Sequence, residues 1–371
     1  MKLRFKKHVA LTLISLMLLS LIGCGKPAST DTTTTTEAAV TEAPAASISD
    51  AATTADSTPA DASEEGSDAQ TVYPVTVTDQ SGREVTIEKE PESIVSGYYI
   101  STSLLLALGL KDKVTGIEAK ADKRPIYKLA APEFLELPNV GTAKEFDLET
   151  CASLSPELVI LPMKLKDAAQ SLSELDIPVL LVNPESEDQL EQMIELVSTA
   201  TNTKGNADAL LSYIDEKKEM LEKDLSGVEV KSVYLAGNSS LLSTAGPAMY
   251  QSGLIELAGG KNAASEITDT YWAEISYEQL LAWDPSYIIL ASDAEYTPED
   301  VLNDENLKEC TAVKNGNVYA IPGDIEALDS PVPGGILASI WLAGILHPDQ
   351  VSADMYTEEK AAFYETFYGI K

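Results

Sequence analysis

Short apolar runs alternate with amphipathic stretches along most of the chain, the order expected of an α/β architecture. Residues 75–77 and 83–87 alternate apolar and polar positions around Asp79-Gln80-Ser81-Gly82, which predicts an entry hairpin. Residues 93–96, 114–117, 158–161 and 178–182 are short and nearly all apolar, as parallel strands buried on both faces are. A second such set follows at 232–236, 287–290 and 318–321. Between the sets, residues 187–225 carry helical spacing. The second half of this stretch starts at a candidate cap, Thr203, and places Ala207, Leu211, Ile214, Leu221 and Leu225 on one face before Gly227 stops it. Two sets of strands with one long helix between them predict two Rossmann-like lobes with mainly parallel sheets, joined by a helix and not by a loose linker.

The pattern differs at the N-terminus. A basic start (Lys2, Arg4, Lys6, Lys7) precedes an apolar run over 9–22 and then Gly23-Cys24, the layout of an export signal. The run falls short of the roughly 20 residues a spanning helix needs, and Leu21-Ile22-Gly23-Cys24 matches a bacterial lipobox, so residues 1–23 read as a lipoprotein signal and Cys24 as the lipidated residue. Residues 24–71 hold Thr, Ser, Ala, Pro, Asp and Glu, with five consecutive threonines from Thr32 to Thr36, and are expected to form a disordered tether. The expected divisions after it are an N-terminal lobe at 72–186, a helical connector at 187–226 and a C-terminal lobe at 227–371. This organisation implies an extracytoplasmic protein held to the cell membrane by lipid.

Charge narrows the partners. The formal net charge is −33 and becomes −37 once Lys2, Arg4, Lys6 and Lys7 leave with the signal. Nucleic acid is excluded as a partner, because binding it relies on basic residues that neutralise phosphates. Beyond Cys24 only Cys151 and Cys310 remain, and both fall in apolar patterns that predict buried free thiols. The chain lacks G-x-S-x-G, H-E-x-x-H, a P-loop and any Cys/His cluster, so the reading is a binding protein with no catalytic residues, resident metal or cofactor.

An internal repeat carries the most information. DLETCASLSPELVIL (147–161) aligns without gaps on SYEQLLAWDPSYIIL (276–290). In each copy an N-cap residue starts a short helix, a Glu sits in its first turn, a Pro follows seven residues later and a buried strand comes next. The helix macrodipole alone favours a carboxylate at that place. Two lobes built alike would also carry Glu149 and Glu278 on equivalent corners, as studs for a two-fold-symmetric partner.

With these segments the chain resembles a known family. VTVTDQSGREVTIEKEPESI (75–94), NVGTAKEFDLETCASLSPELVIL (139–161), LIELAGGKN (254–262), ISYEQLLAWDPSYIIL (275–290) and AVKNGNVYAIP (312–322) resemble the iron-siderophore and cobalamin family of ABC-transporter substrate-binding proteins. The resemblance implies the class III periplasmic-binding-protein fold, two lobes bridged by one long helix. It also implies a monomer that docks Glu149 and Glu278 into arginines of a homodimeric permease, which works with its ATPase. The guest it implies is a small molecule: a ferric siderophore or related metal chelate first, then cobalamin or another corrinoid, then haem or an oxyanion such as molybdate. In cobalamin-binding members an aromatic packs on the corrinoid from the position that is Ala143 here, and His347 is the only histidine beyond His8, which would leave haem ligation to Tyr or Met.

Loops at strand ends supply the expected ligand contacts. In the first lobe these are Tyr98, Tyr99, Ser101, Arg124, Lys144 and Lys164, and in the second Tyr250, Tyr271, Trp272 and Asp329. Several basic residues on one lobe of so acidic a chain point to an anionic guest.

Overall fold

A computed structural model describes residues 70–371. The first strands, β1 (Val75–Thr78) and β2 (Glu84–Ile87), form the expected antiparallel hairpin, with Val75 opposite Ile87. Its turn is tied to the body by the buried carboxylate of Asp79, which accepts from Ser81, from the Arg83 guanidinium at 2.7 and 2.9 Å, and from the Leu181 amide at 3.1 Å. Burial raises the pKa of Asp79, and these hydrogen bonds outweigh it, holding the carboxyl below its ordinary value.

The first lobe is built on β3 (Ile94–Ser96), β4 (Val114–Gly116), β5 (Leu158–Pro162) and β6 (Val179–Val182). All pair in parallel, in the spatial order β4-β3-β5-β6. The second lobe comprises β7 (Lys231–Ala236), β8 (Ser243–Ala245), β9 (Gly260–Asn262), β10 (Trp272–Glu274), β11 (Tyr287–Leu290) and β12 (Val318–Ala320). Its parallel sheet runs β12-β11-β7-β9, and β8 with β10 forms a separate antiparallel ribbon. Numbered by first appearance, both main sheets have the order 2-1-3-4, so the lobes share one topology.

Three strands were not legible in the hydrophobic pattern: β8, β9 and β10. β9 reads Gly-Lys-Asn and forms because its backbone completes the edge beside β7, a gain that side-chain periodicity does not record.

The connector is helical and bent. A helix over Glu187–Thr201 packs on the first lobe, and the chain turns at Asn202 (φ 58°) into the helix Lys204–Asp224. Its 21 residues span about 31 Å. Thr203 holds the N-cap position, but its hydroxyl bonds Thr201 and not a helix amide. The long helix buries Ala207, Leu210, Ile214 and Leu221, with the leucines and the isoleucine each contributing about 1.5–3 kcal/mol. Its buried Lys217 pairs at 2.9 Å with Glu359 of the C-terminal helix Ala353–Tyr368. One apolar core is therefore continuous from Ile94 and Leu104 of the first lobe through this helix to Val233, Ile289 and Phe363 of the second. Cys151 and Cys310 are buried, unpaired, and lie in the two separate outer cores. His347 is also buried and bonds the Gly259 carbonyl at 3.1 Å, a structural position at the end of the helix Ile336–Leu346.

Candidate functional site

Both sheets carry their loops toward one cavity of about 790 Å³, lined mainly by the first lobe and closed by residues 293–295 of the second. β3 ends at Gly97, where a Cβ would lie 2.6 Å from the Leu161 side chain, so the chain passes close under the cavity floor. Tyr98 follows as the residue before the helix Tyr99–Ala107, and the rings of Tyr98 and Tyr99 meet edge to face at 5.3 Å. Burial raises both phenol pKa values, so each is a neutral donor at physiological pH.

Arg124 centres the site. Its guanidinium lies 3.9 Å from the centroid of the Tyr99 ring and 3.9 Å from a carboxylate oxygen of Asp293 on the opposite lobe. The Tyr99 hydroxyl donates to Ser330 at 2.9 Å, a second bond across the lobes. Lys120 and Lys123 flank Arg124 on the same turn, with Lys120 in the left-handed region at φ 68°. Backbone held there costs a non-glycine residue about 1–2 kcal/mol, which the surrounding turn must offset. At the back of the cavity the carboxyl of Glu118 accepts 2.7 Å bonds from Thr102 and Tyr127, and burial raises its pKa.

On the second lobe, the loop after β11 presents Asp293 and Glu295. It is fixed from beneath: Ser292 donates to the buried carboxylate of Asp329 through its hydroxyl and its amide, and the Glu295 amide donates to the Asn238 carbonyl at 2.8 Å. The cavity is thus cationic on one wall and anionic on the other, where residue order alone pointed to a basic site. Asp293 and Glu295 were missed because nothing in the order of the chain shows that the loop after β11 faces the turn at 120–124, and Glu118 because only the fold turns its carboxyl inward onto Thr102 and Tyr127.

The expected contacts separate accordingly. Tyr98, Tyr99 and Arg124 line the cavity. Ser101 does not: the helix begins before it, at Tyr99, and buries its hydroxyl between Ser96 and the Tyr98 carbonyl. Tyr250 is likewise buried, opening the helix Tyr250–Leu257 with its hydroxyl against Gly335. Asp329 supports the wall and does not face the guest. Lys144 and Lys164 are exposed outside the lining, Lys144 next to the lining residue Ala143. Tyr271 and Trp272 stand exposed on the β10 ribbon, the Trp272 ring over Gly237. Among the described residues no group of three or more His, Cys, Asp and Glu is arranged to hold a metal ion.

The sequence repeat becomes a structural one. Asp147 caps the helix Leu148–Ser153 by accepting from the Thr150 amide at 2.9 Å, and Ser276 caps Tyr277–Trp283 by accepting from the Gln279 amide at 3.2 Å. Each helix ends in a left-handed residue, Ser155 (φ 50°) or Asp284 (φ 42°), followed by the aligned proline and the third strand of its sheet, β5 or β11. Glu149 and Glu278 are exposed at equivalent points of the two lobes. At Glu278, its own amide and then the Ser276 hydroxyl hold the carboxyl below its ordinary pKa. Cys24 lies outside the described residues, within which no helix is long and apolar enough to cross a membrane.

Known proteins are similar to this chain in sequence and in fold. YvrC of Bacillus subtilis, an ABC transporter substrate-binding lipoprotein, is 29% identical over 273 residues, which cover 70% of this chain and 82% of YvrC. The molybdate-binding protein MolA of Haemophilus influenzae is 24% identical over 319 residues, covering 79% of this chain and 90% of MolA. The crystal structure of a periplasmic solute binding protein from Veillonella parvula superposes with a TM-score of 0.71 at 26% identity, over 80% of this chain and 93% of that one. Residues 94–325 match the periplasmic binding protein family model, and with two lobes of one topology around a charged cavity the chain belongs to that family, as a substrate-binding protein of an ABC transporter.

Proposed function

We propose that this protein captures a ferric siderophore or a related metal chelate in the cleft between its lobes at 72–186 and 227–371, and delivers it to a homodimeric permease, tethered meanwhile to the membrane by lipid on Cys24. Its role is binding without catalysis. The observation that carries the reading is the cavity of about 790 Å³, lined by Tyr98, Tyr99 and Arg124 and bridged by an ion pair between lobes. That volume lies within the roughly 300–1,000 Å³ that encloses a drug-sized ligand. MolA is named for molybdate, but a bare tetrahedral oxyanion would leave most of this space unfilled and would not use the two aromatic rings. A corrinoid is the alternative guest, and Ala143 at the cavity edge gives it no aromatic face on that side. Glu149 and Glu278, exposed on topologically equivalent helices, support docking to a two-fold-symmetric partner with basic sockets.

Two measurements test this. Intrinsic fluorescence and melting temperature of the full chain should respond to a ferric chelate; no response to any ferric chelate, corrinoid, haem or oxyanion would sink the cleft assignment. Reversing both studs, Glu149→Arg with Glu278→Arg, should leave ligand affinity within about twofold and abolish uptake. Uptake at the unaltered rate would refute the docking role.

A further inference from the structure

The two walls of the cavity carry opposite charge, and this restricts the guest further than its size does. On the first lobe stand Lys120, Lys123 and Arg124; across from them stand Asp293 and Glu295. Lys123 has Asp122 at 3.5 Å, and Arg124 has Asp293 at 3.9 Å. Lys120 and Glu295 have no oppositely charged side chain within ion-pair distance among the described residues. Apart from Glu118, which is bonded by Thr102 and Tyr127 at the back, the cleft therefore has one loose pair across its middle and an unpaired charge of each sign on opposite walls. Resting on the reading of this cleft as the ligand site, we infer that the guest is amphoteric: its anionic part is met by Lys120 and Arg124, and a cationic group, an ammonium or guanidinium, is met by Asp293 and Glu295.

The argument is one of exchange. A guest with only negative charge would take Arg124 from Asp293 and strand two carboxylates on the facing wall, close to the incoming anion and partly desolvated by it. A guest with both signs splits the Arg124–Asp293 pair and returns a partner to each half, so no charge is left alone when the cleft is filled. The acidic wall is also positioned and not merely present. Ser292, next to Asp293, is held by the buried Asp329, the Glu295 amide by Asn238, and the Tyr296 hydroxyl by the Gly237 carbonyl at 2.7 Å. These bonds fix the backbone that carries Asp293 and Glu295, so both carboxylates stay at the cavity. Charge complementarity of this kind acts on specificity more than on raw affinity.

Three probes separate the possibilities on the full chain: ferric desferrioxamine B, in which three hydroxamates neutralise the iron and the free end is an ammonium, so that it tests the cationic half of the guest; its N-acetylated form, with the same neutral iron shell and no charge at that end; and ferric citrate, which is anionic throughout and tests the facing carboxylates against an anion. Titration calorimetry on the wild type should show acetylation weakening binding by about tenfold or more. In the Asp293→Asn, Glu295→Gln variant the two trishydroxamates should bind alike, and ferric citrate should bind more tightly than to the wild type. Asp293 is 58% exposed, so the amide is accommodated without disturbing the core, and the variant distinguishes lost charge from added acetyl bulk. Equal binding of both trishydroxamates by the wild type, or binding of ferric citrate that the variant does not tighten, overturns the inference while leaving the cleft a ligand site. Silence from all three probes removes the chelate reading itself, and the inference with it.

Discussion

Glu326→Gln tests how the lobes are joined. Glu326 lies in the segment after β12 and is 5% exposed. Its carboxyl accepts from Ser103 on the first-lobe helix Tyr99–Ala107 and, at 3.0 Å, from Tyr364 on the C-terminal helix, while Tyr368 bonds the same Ser103 hydroxyl at 3.0 Å. Burial pushes the carboxyl from its ordinary 4.5 up to about 7, against the hydrogen bonds from Ser103, Tyr364 and Tyr368. In the unfolded chain the group loses its proton near 4.5, while in the folded chain it keeps it until near 7. Between those values the folded state binds the extra proton, so stability falls as pH rises and levels off above about 7. At 1.36 kcal/mol per unit, the gap corresponds to a loss of about 3 kcal/mol. Glutamine keeps the shape and an acceptor for Ser103, and the Tyr364 hydroxyl can turn to accept from the new amide, so the variant lacks the pH-dependent loss. Urea unfolding of both proteins near pH 4.5 and near pH 8 should therefore show the variant gaining about 3 kcal/mol relative to wild type over that interval. Because every other carboxylate is common to both chains, the difference of differences isolates Glu326. A variant-minus-wild-type difference that is the same at both pH values, within about 0.5 kcal/mol, would refute a neutral buried carboxyl at the lobe junction.

Two further outcomes follow from local geometry. Gly141 sits at φ 83° in the turn ahead of Glu149, and a Cβ there would lie 2.1 Å from the Glu145 carbonyl, so Gly141→Ala should cost more than about 2 kcal/mol in chemical denaturation; a loss below about 1 kcal/mol would mean that the turn opens freely. The Cys151 thiol is pushed up to about 12 by burial, with the Asp147 charge adding to it, and burial also raises that of Cys310. Maleimide should therefore label both only after unfolding, and a Cys151–Cys310 disulfide-linked peptide in a non-reducing digest would contradict two free thiols in separate cores.

Much of the architecture was readable along the chain because buried parallel strands need continuous apolar runs, and seven such runs lie within the two main sheets. The repeat was readable for a related reason: a capped helix start, a left-handed residue before proline and a buried strand each demand particular residue types at fixed spacing. Glu149 and Glu278 were thus located from order alone. β9 was not, since Gly-Lys-Asn becomes a strand only through the backbone of β7.

The site was legible only in part, and the reason is distance along the chain. Tyr98, Tyr99 and Arg124 line the cavity because they lie on the loops that follow β3 and β4, where open α/β sheets present their clefts. Ser101 and Tyr250 were misplaced by the start of a helix, which turns one polar residue inward within a single turn of its neighbour. The cation-rich turn at 120–124 declares a charge, but the sign of the wall it faces is set by residues 293–295, and Arg124 meets Asp293 only when the shared core holds the two lobes together. By itself, then, the order of residues determined most of the elements, the duplicated lobe and the equivalent placing of Glu149 and Glu278, since these rest on local periodicity and capping. The tertiary structure alone decided that the cleft is two-signed and that a buried carboxyl joins the lobes, because electrostatic pairing and desolvation depend on separation in space.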